Sequence, residues 1–136
     1  MRNITHIVVH CTATQQNAKV EDIQRYWRNN LGWKSPGYHF IVEPNGKETQ
    51  LLTIAQPSNG VKGHNASIIN VCYIGGVDQF NKPLDNRTAA QKDMLLKRLK
   101  DLKKMFPKAI IQGHRDFAGV SKACPCFDAK SEYANI

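Results

Sequence analysis

The sequence predicts an α/β domain in which a central mixed β-sheet is flanked by helices. Three observations carry this. Short β-branched runs at residues 4–9 and 71–74 have the length and apolar density of buried strands. Two longer segments, 20–31 and 88–106, repeat apolar residues at helical spacing. Asn45-Gly46 lies between two strand-like segments and marks a hairpin, so at least one strand pair is antiparallel. Strands and helices mixed in this way pack as a sheet with helices on its faces. The chain of 136 residues has the size of one domain, 1–136, and no repeat or linker divides it.

Residues 4–9 form the first strand. Side chains alternate along it, so His6, Val8 and His10 share a face. His10 falls at its C-terminal end, where α/β sheets place ligands. In the helix at 20–31, Val20, Ile23, Trp27 and Leu31 make the apolar stripe and Gly32 the stop. Strands follow at 38–42 and 47–52, then an irregular stretch at 55–66. The strand at 71–74 is closed by Gly75-Gly76. Thr88 and Gln91 have the spacing of a capping box, Leu95, Leu99, Leu102 and Phe106 form one stripe behind it, and Pro107 ends the helix. A last strand at 109–112 delivers His114, and a glycine- and proline-punctuated loop carries Lys122, Cys124 and Cys126.

Composition narrows the class. With 41% hydrophobic residues the chain can build a core without disulfide staples. No apolar run approaches the ~20 residues of a membrane span. The four cysteines do not have the spacing of a small secreted scaffold, and Cys11 and Cys72 read as small buried hydrophobes. The N-terminal MRNITHIVVH lacks the charged and apolar regions of a signal peptide, which predicts folding in the cytoplasm. A net charge of +8 suits either a solvated surface or an anionic partner. Much of it lies on one predicted helix, at Lys92, Lys97, Arg98, Lys100, Lys103 and Lys104. Without helix-turn-helix, zinc-finger or RNA-binding aromatic patterns, no specific nucleic-acid recognition is expected.

The residues with metal chemistry are His10 after the first strand, His114 after the last, and Cys124 in the loop beyond. Two imidazoles and a thiolate suit zinc, and three protein ligands leave the fourth tetrahedral position to water, as in catalytic sites. Zinc would lower the pKa of that water towards ~7 and polarise a carbonyl, as amide hydrolysis requires. Spacing alone is weak support, because the three ligands do not form a compact motif and a lone histidine is more often a core or surface residue.

The local strings sharpen the reading. IVVHCTAT (7–14), GWKSPGYHFIVEPNG (32–46), VCYIGGVD (71–78), GHRDF (113–117) and KACPCFD (122–128) stand in the order found in one family. The chain resembles the zinc-dependent N-acetylmuramoyl-L-alanine amidases, which include phage lysozyme-type endolysins and peptidoglycan recognition proteins. The resemblance covers nearly the whole chain. It implies that family's fold and hydrolysis of the amide bond between N-acetylmuramic acid and L-alanine, with peptidoglycan as the partner. It also implies that His10, His114 and Cys124 are the zinc ligands, that Tyr38 lines the metal site, and that Lys122 sits beside the scissile carbonyl. His64 and Asn65 match stretches that border the substrate groove.

Physical chemistry agrees with these roles. Lys122 is a compact cation suited to an oxyanion, and Tyr38 can hydrogen-bond the attacking water or pass protons. The general base stays open between Tyr38, the metal-bound hydroxide and another group. His39 should point away from Tyr38 and support a neighbour, and His6 should pack; Thr12 and Arg115 either touch substrate or support the site. The chain departs from the family pattern at Cys126, where a small residue is common, and at Asn70, where glycine is common. A thiol at 126 is either neutral or a competitor for the metal and for Cys124.

The implied setting is a phage- or prophage-type lysin, monomeric and cytoplasmic until lysis. A non-catalytic peptidoglycan-binding module is the alternative, but such a module is expected to lack a ligand, most tellingly the cysteine. A cysteine hydrolase with Cys124 as nucleophile is disfavoured because Pro125 offers no N–H for an oxyanion hole.

Overall fold

The computed structural model describes residues 2–136. In chain order its elements are β1 (His6–Cys11), α1 (Val20–Asn29), β2 (Phe40–Val42), β3 (Glu48–Gln50), β4 (Ile68–Tyr73), α2 (Ala89–Met105), β5 (Ile110–Gly113) and α3 (Ala129–Glu132). Single 3₁₀ turns at Asn65–Ser67 and His114–Asp116 lead into β4 and out of β5.

The strands form one sheet in the order β3-β2-β4-β1-β5. β1 pairs in parallel with β4 and β5, and β2 pairs in parallel with β4. Only the β2–β3 hairpin is antiparallel. Its turn centres on the expected Asn45-Gly46, with Gly46 N–H donating to Glu43 O (2.8 Å) and Glu43 N–H to Lys47 O (2.9 Å). The mixed sheet predicted from the sequence is therefore present, with β1 at its interior.

Alternation along β1 divides the molecule. Ile7, Val9 and Cys11 face a core built with Leu95, Leu99 and Leu102 of α2 and with Ala129 and Tyr133 from α3 and its end. Each fully buried leucine contributes roughly 1.5–3 kcal/mol relative to exposure. Thr88 caps α2 as expected: its hydroxyl accepts the Gln91 N–H, and its own N–H donates to Gln91 Oε1, both at 3.0 Å. The buried Gln91 amide then donates to Val42 O and Ile74 O, pinning the helix start to the ends of β2 and β4.

The opposite face carries two separate apolar clusters. Ile41, Cys72 and Ile74 pack with Val20 and Ile23 of α1, whereas Val8 and Ile68 pack with Val61 and Phe117. The end of β1 opens into the space between them.

Several boundaries differ from expectation. α1 stops at Asn29, and Leu31 is exposed rather than part of the stripe, because the Asn30 and Leu31 N–H groups both turn back to Tyr26 O. β4 begins at Ile68, earlier than its apolar run suggests, because pairing with His6 and Ile7 of β1 recruits Ile68 and Ile69. β2 begins at Phe40 instead of residue 38. The short α3 was not foreseen: four residues are too few to show a period, although Asp128 caps it by accepting the Ser131 N–H. On α2, Arg98 is not a free cation, since it pairs with Glu48 (2.7 and 2.9 Å) and lies over the Phe40 ring.

Candidate metal centre and substrate cleft

The three donors named from the sequence come together. Ligand atoms of His10, His114 and Cys124 all lie within 4.8 Å of one another. His10 is buried at the end of β1, His114 opens the turn after the neighbouring β5, and Cys124 lies in the following loop.

Two close approaches bring that loop back over β5. A Cβ on Gly113 would stand 2.5 Å from Pro125 Cδ, so no larger residue permits the contact. Arg115 N–H donates to Cys124 O at 2.9 Å, so the backbone of Arg115 supports the site while its side chain stays exposed. From β4, the buried Tyr73 hydroxyl donates to Pro125 O at 2.6 Å.

The donor set fits a tetrahedral metal ion. His10 Nε2 is engaged by Asn70 Oδ1 at 2.7 Å, which leaves Nδ1 directed to Cys124 Sγ at 3.9 Å. A tetrahedral zinc site has ligand–ligand edges of about 3.3–3.6 Å, which the His10–Cys124 pair already approaches. Burial first, and then the nearby Lys122 and for His114 also His10, hold the pKa of both histidines down to about 4. Both imidazoles are therefore neutral at neutral pH, the form that binds metal. Cys124 Sγ accepts the Cys11 N–H at 3.2 Å.

An inner cleft surrounds the donors, lined also by Thr12, Trp33, Tyr38, Gly60 and Lys122. It opens on one side into a wider depression of about 520 Å³, lined by Lys62, Asn65, His114 and Lys122 among others. On the other side lies a groove of about 510 Å³ between Thr12, Asp22, Tyr26 and Tyr38. Among the described residues lining the inner cleft there is no Asp or Glu.

Tyr38 is half-buried, with its ring 5.0 Å from that of His10 and 5.4 Å from Trp27. Burial and the thiols of Cys72, Cys124 and Cys11 push its phenol above the ordinary range, so it stays protonated. Lys122 is exposed at the junction of the inner cleft and the wide depression. Asn65 reaches the depression, but its Oδ1 also accepts the Val61 N–H at 2.8 Å. His64 is exposed and stacks near Phe117 (4.5 Å), outside the residues that line the clefts. Thr12 lines the groove while its hydroxyl accepts the Gly75 N–H. His6 packs against Phe117 at 5.4 Å, as expected.

Two readings from the sequence are met. His39 supports a neighbour, since its Nδ1 accepts the Asn70 N–H at 3.0 Å. Cys126 points away from the donor set, with its thiol 3.8 Å from Cys11 Sγ and donating to Gly76 O. Sequence reasoning also passed over Trp33 in the cleft wall and Ser58 beneath it. Asn70 it noted only as a departure, yet a polar residue between Ile69 and Val71 in a buried strand was a signal in itself.

Fold and cleft together define an α/β protein with an open histidine–histidine–cysteine donor set that could hold a metal ion, placed beside strand ends. Comparison with known proteins specifies the family. The profile of the N-acetylmuramoyl-L-alanine amidases matches residues 1–127. An endolysin of Klebsiella phage KP32 is 37% identical over 128 residues, covering 93% of this chain and 83% of its own. An endolysin of Enterobacteria phage K11 is 38% identical over 121 residues, covering 88% and 79%. Among solved structures, the Ph2119 endolysin from the Thermus scotoductus MAT2119 bacteriophage superposes with a TM-score of 0.79 at 25% identity, covering 92% of this chain and 79% of that one. The amidase LysC from Clostridium intestinale URNW shares the fold, with a TM-score of 0.80 at 21% identity over 96% of this chain and 82% of that one.

The chain belongs to the N-acetylmuramoyl-L-alanine amidase family. Its activity is hydrolysis of the amide bond between N-acetylmuramic acid and L-alanine in peptidoglycan.

Proposed function

We propose that residues 1–136 act as one zinc-dependent catalytic domain of a phage- or prophage-type lysin, with His10, His114 and Cys124 holding the metal. The convergence of three neutral or thiol donors on one point at the floor of an open cleft is the observation that carries this reading. The endolysin relatives support the lysin role.

Bound zinc supplies an activated water and polarises the scissile carbonyl. The remaining work falls to the chain. Lys122, at the cleft mouth, brings its ammonium to the oxyanion that develops on the carbonyl oxygen. Tyr38, kept protonated by burial, presents an O–H donor beside His10 that hydrogen-bonds the attacking water, and the proton which that water releases is the one the departing L-alanine amine takes up. A carboxylate base has no part in this proposal, since the described cleft lining contains none. Trp33 and Trp27 wall the cleft and limit water around the reacting amide. Asn65 contacts the substrate along the wide depression, and His64, outside that lining, meets only a substrate that extends past it. The protein works as a monomer and stays in the cytoplasm until it is released at lysis.

The test is release of L-alanine amino termini from purified peptidoglycan by chelator-stripped protein, before and after zinc is restored. Amino termini that appear only with zinc, without new reducing sugar ends, are the expected result. The Cys124→Ala variant should lose zinc retention and activity together; full activity in that variant would sink the ligand assignment. A folded, zinc-loaded wild type that binds peptidoglycan and releases nothing would replace the enzyme with a binding module.

A further inference from the structure

We propose that Asn70 is a positioning residue that locks the His10 imidazole in the tautomer and orientation needed for its Nδ1 to face the metal. This rests on the reading of His10 as a ligand. The starting observation is the 2.7 Å contact between His10 Nε2 and Asn70 Oδ1, made between two fully buried side chains. A side-chain amide offers either an acceptor or a donor to that nitrogen, and which one it offers decides the tautomer of His10.

The surroundings leave one answer. His39 Nδ1 accepts the Asn70 backbone N–H at 3.0 Å, so the Nδ1 lone pair is spent and the ring proton is on Nε2, which donates to Gln56 O at 2.7 Å. Ser58 Oγ lies 3.1 Å from Gly37 O and 3.3 Å from His39 Nδ1. With His39 Nδ1 already engaged, the single Ser58 proton goes to Gly37 O. The Ser58 oxygen must then accept at its 2.7 Å contact with the Asn70 amide, and only Nδ2 can donate there. Asn70 Oδ1 is thereby turned to His10 and accepts from Nε2–H. His10 keeps its lone pair on Nδ1, the nitrogen 3.9 Å from Cys124 Sγ.

Packing reinforces the hydrogen bonds. A Cβ on Gly60 would stand 2.3 Å from the Asn70 amide, so the loop after Ser58 closes directly over it. Ser58, His39 and Asn70 are all buried, and none can rotate without stranding a polar group. A neutral amide fixes the ring without adding charge to the centre, unlike the carboxylates that often orient metal-bound histidines.

Zinc affinity, measured by competition with a chromophoric chelator, and the His10 tautomer, read from imidazole ¹⁵N shifts of the metal-free protein, test this together. Asn70→Ala should weaken zinc binding by about 10–100-fold and give His10 a mixed tautomer population. Asn70→Asp keeps the acceptor and should hold the affinity at or above that of the wild type. If Asn70→Ala does not fold, Ser58→Ala carries the test: it frees the amide to flip and should shift both readouts in the same direction. Folded variants that bind zinc as tightly as the wild type, with His10 still protonated only on Nε2, would overturn the proposal. A wild type that binds no zinc yet keeps that tautomer would instead refute the ligand reading.

Discussion

Tyr73→Phe removes one buried oxygen that supports the loop carrying Cys124. The hydroxyl is fully buried at the end of β4 and donates to Pro125 O at 2.6 Å, in the loop that carries Cys124. Burial drives its pKa far above the ordinary range, so it is a donor at any working pH. The ring and its packing near Phe127, 6.3 Å between centroids, are unchanged by the substitution. What changes is that the buried Pro125 carbonyl loses its side-chain donor, a defect worth about 1–3 kcal/mol. Losing the desolvation cost of the hydroxyl offsets a part, which leaves about 1–2 kcal/mol. Urea unfolding of the metal-free protein should show this as a midpoint lowered by roughly 0.5–1.5 M at unchanged m. Because the loosened segment carries Cys124, zinc affinity should fall as well, by up to about tenfold. An unchanged midpoint together with unchanged zinc affinity would mean that Gly113 and Arg115 alone fix this loop.

Three further outcomes follow from the same contacts. Lys122→Met should lower kcat on peptidoglycan by about 10²–10³-fold while zinc content stays at one equivalent, and an unaltered kcat would remove Lys122 from the mechanism. Leu99→Ala, at a fully buried position on α2, should cost about 2–5 kcal/mol in denaturant unfolding. His39 is held near 4 by burial, against about 6.5 when unfolded, so the unfolded chain binds more protons in between. Its contribution, up to roughly 3 kcal/mol, is complete above pH 6.5 and is lost as pH falls towards 4. His39→Gln should flatten the loss of stability of the metal-free protein between pH 7 and 5; an unchanged slope would count against a buried neutral His39.

The sheet and its helices were legible because their signals are local. The capping box at Thr88 and Gln91, the leucine stripe behind it and the Asn45-Gly46 turn each appear where their spacing placed them. The metal donors were legible as residue types, and the strings around them identified the family. The start of β4 at Ile68 was not legible, because it depends on a partner strand distant in sequence. Nor was the particular neighbour that His39 supports: its side chain accepts from the Asn70 backbone, and no alternation rule anticipates that contact. The support beneath His10 comes from Ser58, Gly60 and Asn70, an irregular loop and a strand whose meeting has no period to reveal it.

The position of β1 inside the sheet has a kinetic consequence. Its two neighbours come from the middle of the chain and from its last third, and both pairings are parallel. Such long-range pairing is slow, because loop-closure entropy is lost before the contacts form. His10 belongs to the earliest strand, whereas His114 and Cys124 follow the latest. On a ribosome, the metal centre therefore cannot assemble until nearly the whole chain has emerged and β5 has docked. A chain still in synthesis keeps its three donors apart, and their convergence reports completed folding.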